Sequence, residues 1–115
     1  MRVLWVTNVP VREASALMGL PEGASGGWLT ACHEILASSE QFRLLVTFPG
    51  AERWASGWRG RGLLGEYASF PRASATASPM TEASLSELMQ AWRPDLVHIH
   101  GTEYAHSLIA CRVAT

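Results

Sequence analysis

Apolar and polar positions along the chain alternate between short, nearly unbroken apolar runs and longer stretches with helical spacing. Val3–Thr7, Phe42–Phe48 and Leu96–His100 are the runs, closed by Asn8 and Pro10, by Pro49-Gly50 and by Gly101. Short β-branched runs with such boundaries predict strands buried on both faces. Between them, Trp28, Leu29, Cys32, Ile35 and Leu36 make one apolar stripe at helical period, which predicts a helix from Gly26-Gly27 to about Ser38. Thr81–Trp92 and Tyr104–Ala114 predict two more helices, the former broken at Pro94.

The segment from Val9 to Ser25 predicts a long loop with room for one helical turn around Ala14–Met18. Ala51–Pro79 is poor in regular signal, with a short edge strand expected at Glu66–Phe70. Strands alternating with helices require crossover connections and hence a parallel sheet. The fold class is α/β, a Rossmann-like open parallel sheet with helices on both faces. Tyr104–Ala114 ends without a glycine cap or a following strand, whereas a right-handed crossover returns to the sheet. The expectation is an incomplete amino-terminal domain over residues 1–115.

Composition narrows the class. The chain has 115 residues, 48% of them hydrophobic and 17% charged, which favours one packed core over disorder. A formal charge of −1 provides no cationic field for a nucleic-acid backbone, so no nucleic-acid partner is expected. All nine basic residues are arginine, which excludes a lysine nucleophile or Schiff base within these residues. Thr7, Asn8 and Pro10 interrupt the first apolar run too early for a signal peptide, and the expected location is cytoplasmic. Cys32 and Cys111 lack paired spacing and are expected to pack as free thiols in apolar helical surroundings.

Candidate chemistry collects at predicted carboxyl ends of strands, where open parallel sheets bind ligands. Gly26-Gly27 opens a helix, so its backbone N–H groups and the helix dipole can face an anion such as a diphosphate. His98 and His100 share one strand face. His100 lies nearer the carboxyl end and is the functional candidate, while His98 is expected to be a buried core histidine. Gly101 permits a sharp turn, Thr102 caps the helix expected to begin near Glu103, and Glu103 favours its dipole. His98, His100 and His106 also suggest a zinc site and a metal-dependent hydrolase, although His106 falls on the helix beyond a turn. Gly60–Gly65 matches a G-x-G-x-x-G string without the following helix that gives it meaning. It is read as a mobile, arginine-rich loop with Trp54 and Trp58; the alternative is that exposed tryptophan and arginine stack on a sugar or contact a phosphate.

Three blocks resemble one family: Met1–Pro10, Gly26-Gly27-Trp28-Leu29, and Arg93-Pro94-Asp95-Leu96-Val97-His98-Ile99-His100-Gly101-Thr102-Glu103-Tyr104. Together they are similar to the amino-terminal domain of a family 4 glycosyltransferase. The resemblance implies a GT-B architecture, with the acceptor held mainly by the first of two Rossmann-like domains and the nucleotide-sugar donor mainly by the second. It implies sugar transfer (hexosyltransferase class) with retention of configuration and no metal or other cofactor. By that likeness Gly26 and Gly27 approach the donor diphosphate, His100 lies near the transferred sugar, and Asn8, the Val9–Ser25 loop and Glu103 border the acceptor. The two glutamates that the family carries in its second domain are absent from these residues, so this piece alone is not expected to catalyse. The implied partners are a nucleotide-sugar donor and an unidentified sugar, lipid or small-molecule acceptor, with peripheral membrane contact left open. A metal-dependent hydrolase and a non-catalytic Rossmann-like binding module remain as alternative readings.

Overall fold

A computed structural model describes residues 1–21, 27–50 and 57–115. Among them, β1 (Arg2–Val6) is followed by α1 (Arg12–Leu17), α2 (Gly27–Ala37) and β2 (Arg43–Pro49). Next come β3 (Trp58–Arg61), β4 (Glu66–Phe70), α3 (Pro79–Trp92), β5 (Leu96–Ile99) and α4 (Ala105–Ala114). The sheet runs β3-β4-β2-β1-β5, parallel except for the antiparallel pair β3 and β4.

The α/β class with a parallel core therefore stands, and the side-chain alternation of the strands explains why both faces carry helices. Val3 and Trp5, Leu44, Val46 and Phe48, and Tyr67 point to one face, where they pack with Val11, Ala14, Met18 and Leu29 from the α1–α2 side. Leu4, Val6, Leu45, Ala68 and Phe70 point to the other, against Leu85, Leu88 and Trp92 of α3 and Ile109 and Ala110 of α4. Nearly every residue of β1, β2 and β4 is buried, which is why these strands are continuous apolar runs.

Several expectations are corrected. The loop after β1 contains a six-residue helix, α1, beginning at Arg12. Glu66–Phe70 is an interior strand, because Trp58–Arg61 adds the antiparallel edge outside it. Gly60–Gly65 is thus the end of a strand and a turn, closed by the Gly62 N–H donating to the Gly65 carbonyl at 2.9 Å. Glu13 of α1 pins that turn: its carboxylate accepts from the backbone N–H of Leu63 at 3.0 Å and of Leu64 at 2.9 Å. It also accepts from the Tyr67 hydroxyl at 2.6 Å. A Cβ on Gly62 would collide with this carboxylate, so the glycine is set by the close approach. A pinned turn replaces the expected mobile loop; Trp54 lies outside the described residues.

At the amino ends of the strands, Asp95 accepts the Arg2 N–H through its carboxylate and donates its own N–H to the Arg2 carbonyl, both at 2.8 Å. Arg43 pairs with both oxygens of Glu66 at 3.1 Å, and the Trp92 indole donates to Glu66 from 3.1 Å. Arg93 takes the left-handed conformation (φ 54°) that ends α3, and Pro94 prevents its continuation. α4 begins at Ala105 with no side-chain cap, so Thr102 does not cap it as expected and Glu103 precedes it.

Glu13→Ala is expected to lower the unfolding free energy by about 1–2 kcal/mol by stranding the Tyr67 hydroxyl. Burial and the Glu13 carboxylate both already hold that hydroxyl protonated by raising its pKa. Tyr67→Phe should cost about 1 kcal/mol, and the double variant less than the sum. Urea titrations of the four proteins test this; strict additivity would show that the contact does not couple α1 to β4.

Candidate functional site

Strand order sets the place of the site. From β1 the chain moves outward through β2 to β4 on one side, then α3 carries it back to β5 on the opposite side of β1. The carboxyl ends of β1 and β5 therefore diverge into loops leading in opposite directions, the arrangement that opens a ligand crevice in this class of sheet. An open cleft of about 660 Å³ occupies this position.

Its floor follows from register. Trp5 pairs with His98, so the two side chains share the α1–α2 face of the sheet, and His100, two residues on, joins them. The His98 and His100 rings stack with centroids 4.0 Å apart, and the Trp5 ring meets His100 edge-on at 4.5 Å. Along α2, Trp28, Cys32 and Leu36 recur every four residues and form the wall. Trp28 is 69% exposed, and its ring centroid lies 6.1 Å from that of His100. This row was expected to be part of the buried stripe. Instead Leu29, Thr30 and His33 turn into the core, while Trp28, Cys32 and Ile35 stay exposed, because α2 packs over β1, β2 and β4 and overhangs β5.

His98 is likewise corrected. It is exposed, since β5 is a sheet edge and its α2-side face is not covered by a packed helix among the described residues. His100 is half-buried, with Nε2 shielded from solvent and without a hydrogen-bond partner. Burial, with a smaller contribution from the His98 charge, pushes its pKa down to about 4. At neutral pH this ring is an uncharged donor or acceptor, suited to a hydroxyl group.

The mouth is polar and its geometry is fixed from behind. Asn8 Nδ2 donates to Glu103 Oε1 at 3.2 Å, and Glu103 Oε2 accepts the Thr102 N–H at 2.8 Å. Because the Asn8 amide nitrogen is committed to Glu103, its Oδ1 is the acceptor for Nε2 of His106, 2.9 Å away. With the amide in this orientation, Nε2 of His106 is the donor and Asn8 Oδ1 the acceptor. His106 is 3% exposed, between Phe70 and Tyr104, and its pKa is lowered first by burial and then by Arg72. Gly101 adopts φ +83°, and a Cβ there would strike the Glu103 carboxylate, so the glycine lets the chain fold Glu103 back over the mouth.

Asn8, His98, His100, Gly101 and Glu103 thus converge in one cleft. Gly27 begins α2 one residue before Trp28 but does not itself line the cleft, and Gly26 lies outside the described residues. The three histidines do not converge. His98 and His100 line the floor while His106 is turned to Asn8, and no group of three or more His, Cys, Asp or Glu among the described residues is arranged to hold a metal. Cys32 and Cys111 are free and both exposed, in contrast to the packed thiols expected. Trp5, Trp28 and the orienting role of His106 were not singled out from sequence. The four-residue spacing of Trp28, Cys32 and Leu36 was visible there, but the face it would meet was not.

His33 also has its pKa lowered, chiefly by burial. His33, His100 and His106 therefore favour the neutral form in the folded protein, and the unfolded chain binds more protons once the pH drops below about 6.5. Stability should be fully present above that pH and decline through a window that, for His100, extends to about 4. Urea midpoints at pH 7.5 and 5.0 measure the decline, and His100→Asn should remove part of it. A pH-independent midpoint would contradict the burial of these rings.

No protein-family model matches the chain, and no curated protein and no solved structure matches it either.

Proposed function

We propose that the chain forms the acceptor-side part of a retaining glycosyltransferase that moves a sugar from a nucleotide-sugar donor to an acceptor bound in the cleft between α2 and β5. The observation that carries this reading is the composition of that cleft. An exposed indole, Trp28, stands beside a neutral half-buried histidine, His100, and an amide–carboxylate pair, Asn8 and Glu103, forms the mouth. Aromatic faces stack on the apolar faces of sugar rings, while amide, carboxylate and imidazole groups satisfy their hydroxyls. The likeness of Met1–Pro10, Gly26–Leu29 and Arg93–Tyr104 to family 4 glycosyltransferases supports the same conclusion.

In this mechanism His100 orients a hydroxyl of the transferred sugar and Glu103, held by Asn8, receives a hydroxyl of the acceptor. The donor is gripped mainly by a second domain, and the backbone amides at the start of α2, from Gly27 on, oppose the charge that grows on the leaving diphosphate. Such preorganised donors act on the transition state more than on the bound substrate, typically by a few kcal/mol each. Gly27 suits a close approach by a ligand, since a Cβ placed on it would meet no atom of the described residues within 4 Å.

The same clearance makes Gly27→Trp a clean probe, because the bulk should leave the core untouched. Calorimetric titration of UDP-, GDP- and ADP-linked hexoses into the full polypeptide carrying this chain should find one that binds. Gly27→Trp should weaken it about tenfold, and His100→Ala should slow release of the nucleoside diphosphate by about 100-fold. Absence of any nucleotide-sugar binding, or hydrolysis that depends on added zinc, would overturn the proposal.

A further inference from the structure

The cleft has a sharply uneven distribution of charge. Among the described residues, Glu103 is the single formally charged side chain lining it and no arginine lines it, although arginine supplies every basic residue of the chain. Arg12, at the start of α1, has its guanidinium engaged with Glu34 at 2.8 Å. His100, the shielded ring of the floor, is neutral at physiological pH. Among the described residues that line the cleft, an anion entering the mouth would meet a carboxylate and no fixed cation to offset its desolvation.

Polarity also changes along the cleft's length. Asn8, Glu103, His100 and Gly101 stand at the carboxyl ends of the strands. α2 starts at that end, and its successive turns carry Trp28, Cys32 and Leu36 away from it, into an increasingly apolar trough above β5. A ligand that fills both regions has hydroxyls at one end and an apolar body at the other.

Resting on the acceptor-side reading above, we infer that the acceptor is an uncharged amphipathic molecule, a glycoside or alcohol with an apolar aglycone, and that phosphorylated or carboxylated acceptors are excluded. The hydroxyl-bearing end sits against Asn8 and Glu103, the ring or chain next to it lies on Trp28, and the apolar remainder runs along the Cys32–Leu36 side of α2. The donor's diphosphate stays outside the cleft, at the start of α2.

The two free cysteines supply the readout. Cys32 lines the cleft and Cys111 lies on α4 outside it, and both are exposed. The full polypeptide is alkylated with iodoacetamide and each peptide followed by mass spectrometry. The probes are phenyl β-glycosides of glucose, galactose, mannose and N-acetylglucosamine, and the 6-phosphates of the first three. At least one uncharged phenyl glycoside should slow alkylation of Cys32 several-fold without changing Cys111. Its 6-phosphate should require at least tenfold more ligand for the same protection, and Glu103→Gln should narrow that gap. Trp28→Ala, at an exposed position, should abolish protection, and Trp28→Phe should restore part of it.

Equal or better protection by a phosphate, protection indifferent to Trp28, or no protection by any uncharged glycoside would each overturn the inference. A parallel assay of nucleotide release separates it from the reading on which it rests. Selective protection of Cys32 without transfer to any acceptor sustains the ligand class and sinks the transferase. Transfer to a phosphorylated acceptor sustains the transferase and sinks the ligand class.

Discussion

The structure depends on β1 being paired along both edges. Arg2–Val6 hydrogen-bonds to β2 on one side and to β5 on the other, and residues 3–6 are buried. A strand placed this way has no freedom of register. A slip by one residue would bring Trp5 to the face occupied by Leu4 and Val6 and invert both cores at once. Because β1 is also where strand order reverses, the same pairing that divides the cores opens the cleft at its carboxyl end.

The two ends of the sheet consequently differ in character. At the amino ends, Asp95 clamps Arg2 through two backbone contacts, and Glu66 gathers Arg43 and the Trp92 indole, so charged groups there find partners within the fold. At the carboxyl ends, Trp28, His98 and Glu103 remain exposed, and His100 keeps a shielded nitrogen without a partner. Interactions at one end hold the strands together, while those at the other leave hydrogen-bonding capacity and aromatic surface for a ligand. His106 connects the site to the core, since a buried ring on α4 fixes Asn8, and Asn8 in turn positions Glu103.

Glu13 has an equivalent part toward the opposite edge of the sheet. The carboxylate ties α1 to the β3–β4 turn and to Tyr67, whose ring packs in the core under α1 and α2. Gly60–Gly65, which in sequence resembles a phosphate-binding string, is accounted for by this contact: the β3 end, a tight turn, and a glycine at Gly62 where the carboxylate approaches.

The sequence by itself determined the parts that local patterns encode. Apolar runs at Val3, Phe42 and Leu96 gave three of the parallel strands to within a residue or two, and the order of strands and helices gave the α/β class. His100 was legible from its place at the carboxyl end of a strand, where this fold class binds ligands, whereas Asn8 and Glu103 entered only through the family resemblance. Tertiary structure alone decided what each apolar position faces. The α2 stripe reads the same whether a helix is fully covered or overhangs an edge, so only the packing could show that Trp28 and Cys32 border a cleft. His98 has a core-strand pattern but is exposed because β5 ends the sheet. β3 escaped detection because Trp58–Arg61 carries an edge strand's alternation over only four residues, too few for periodicity to register. The Asn8–His106 and Glu13–Tyr67 contacts join residues 98 and 54 positions apart, a separation no local pattern encodes.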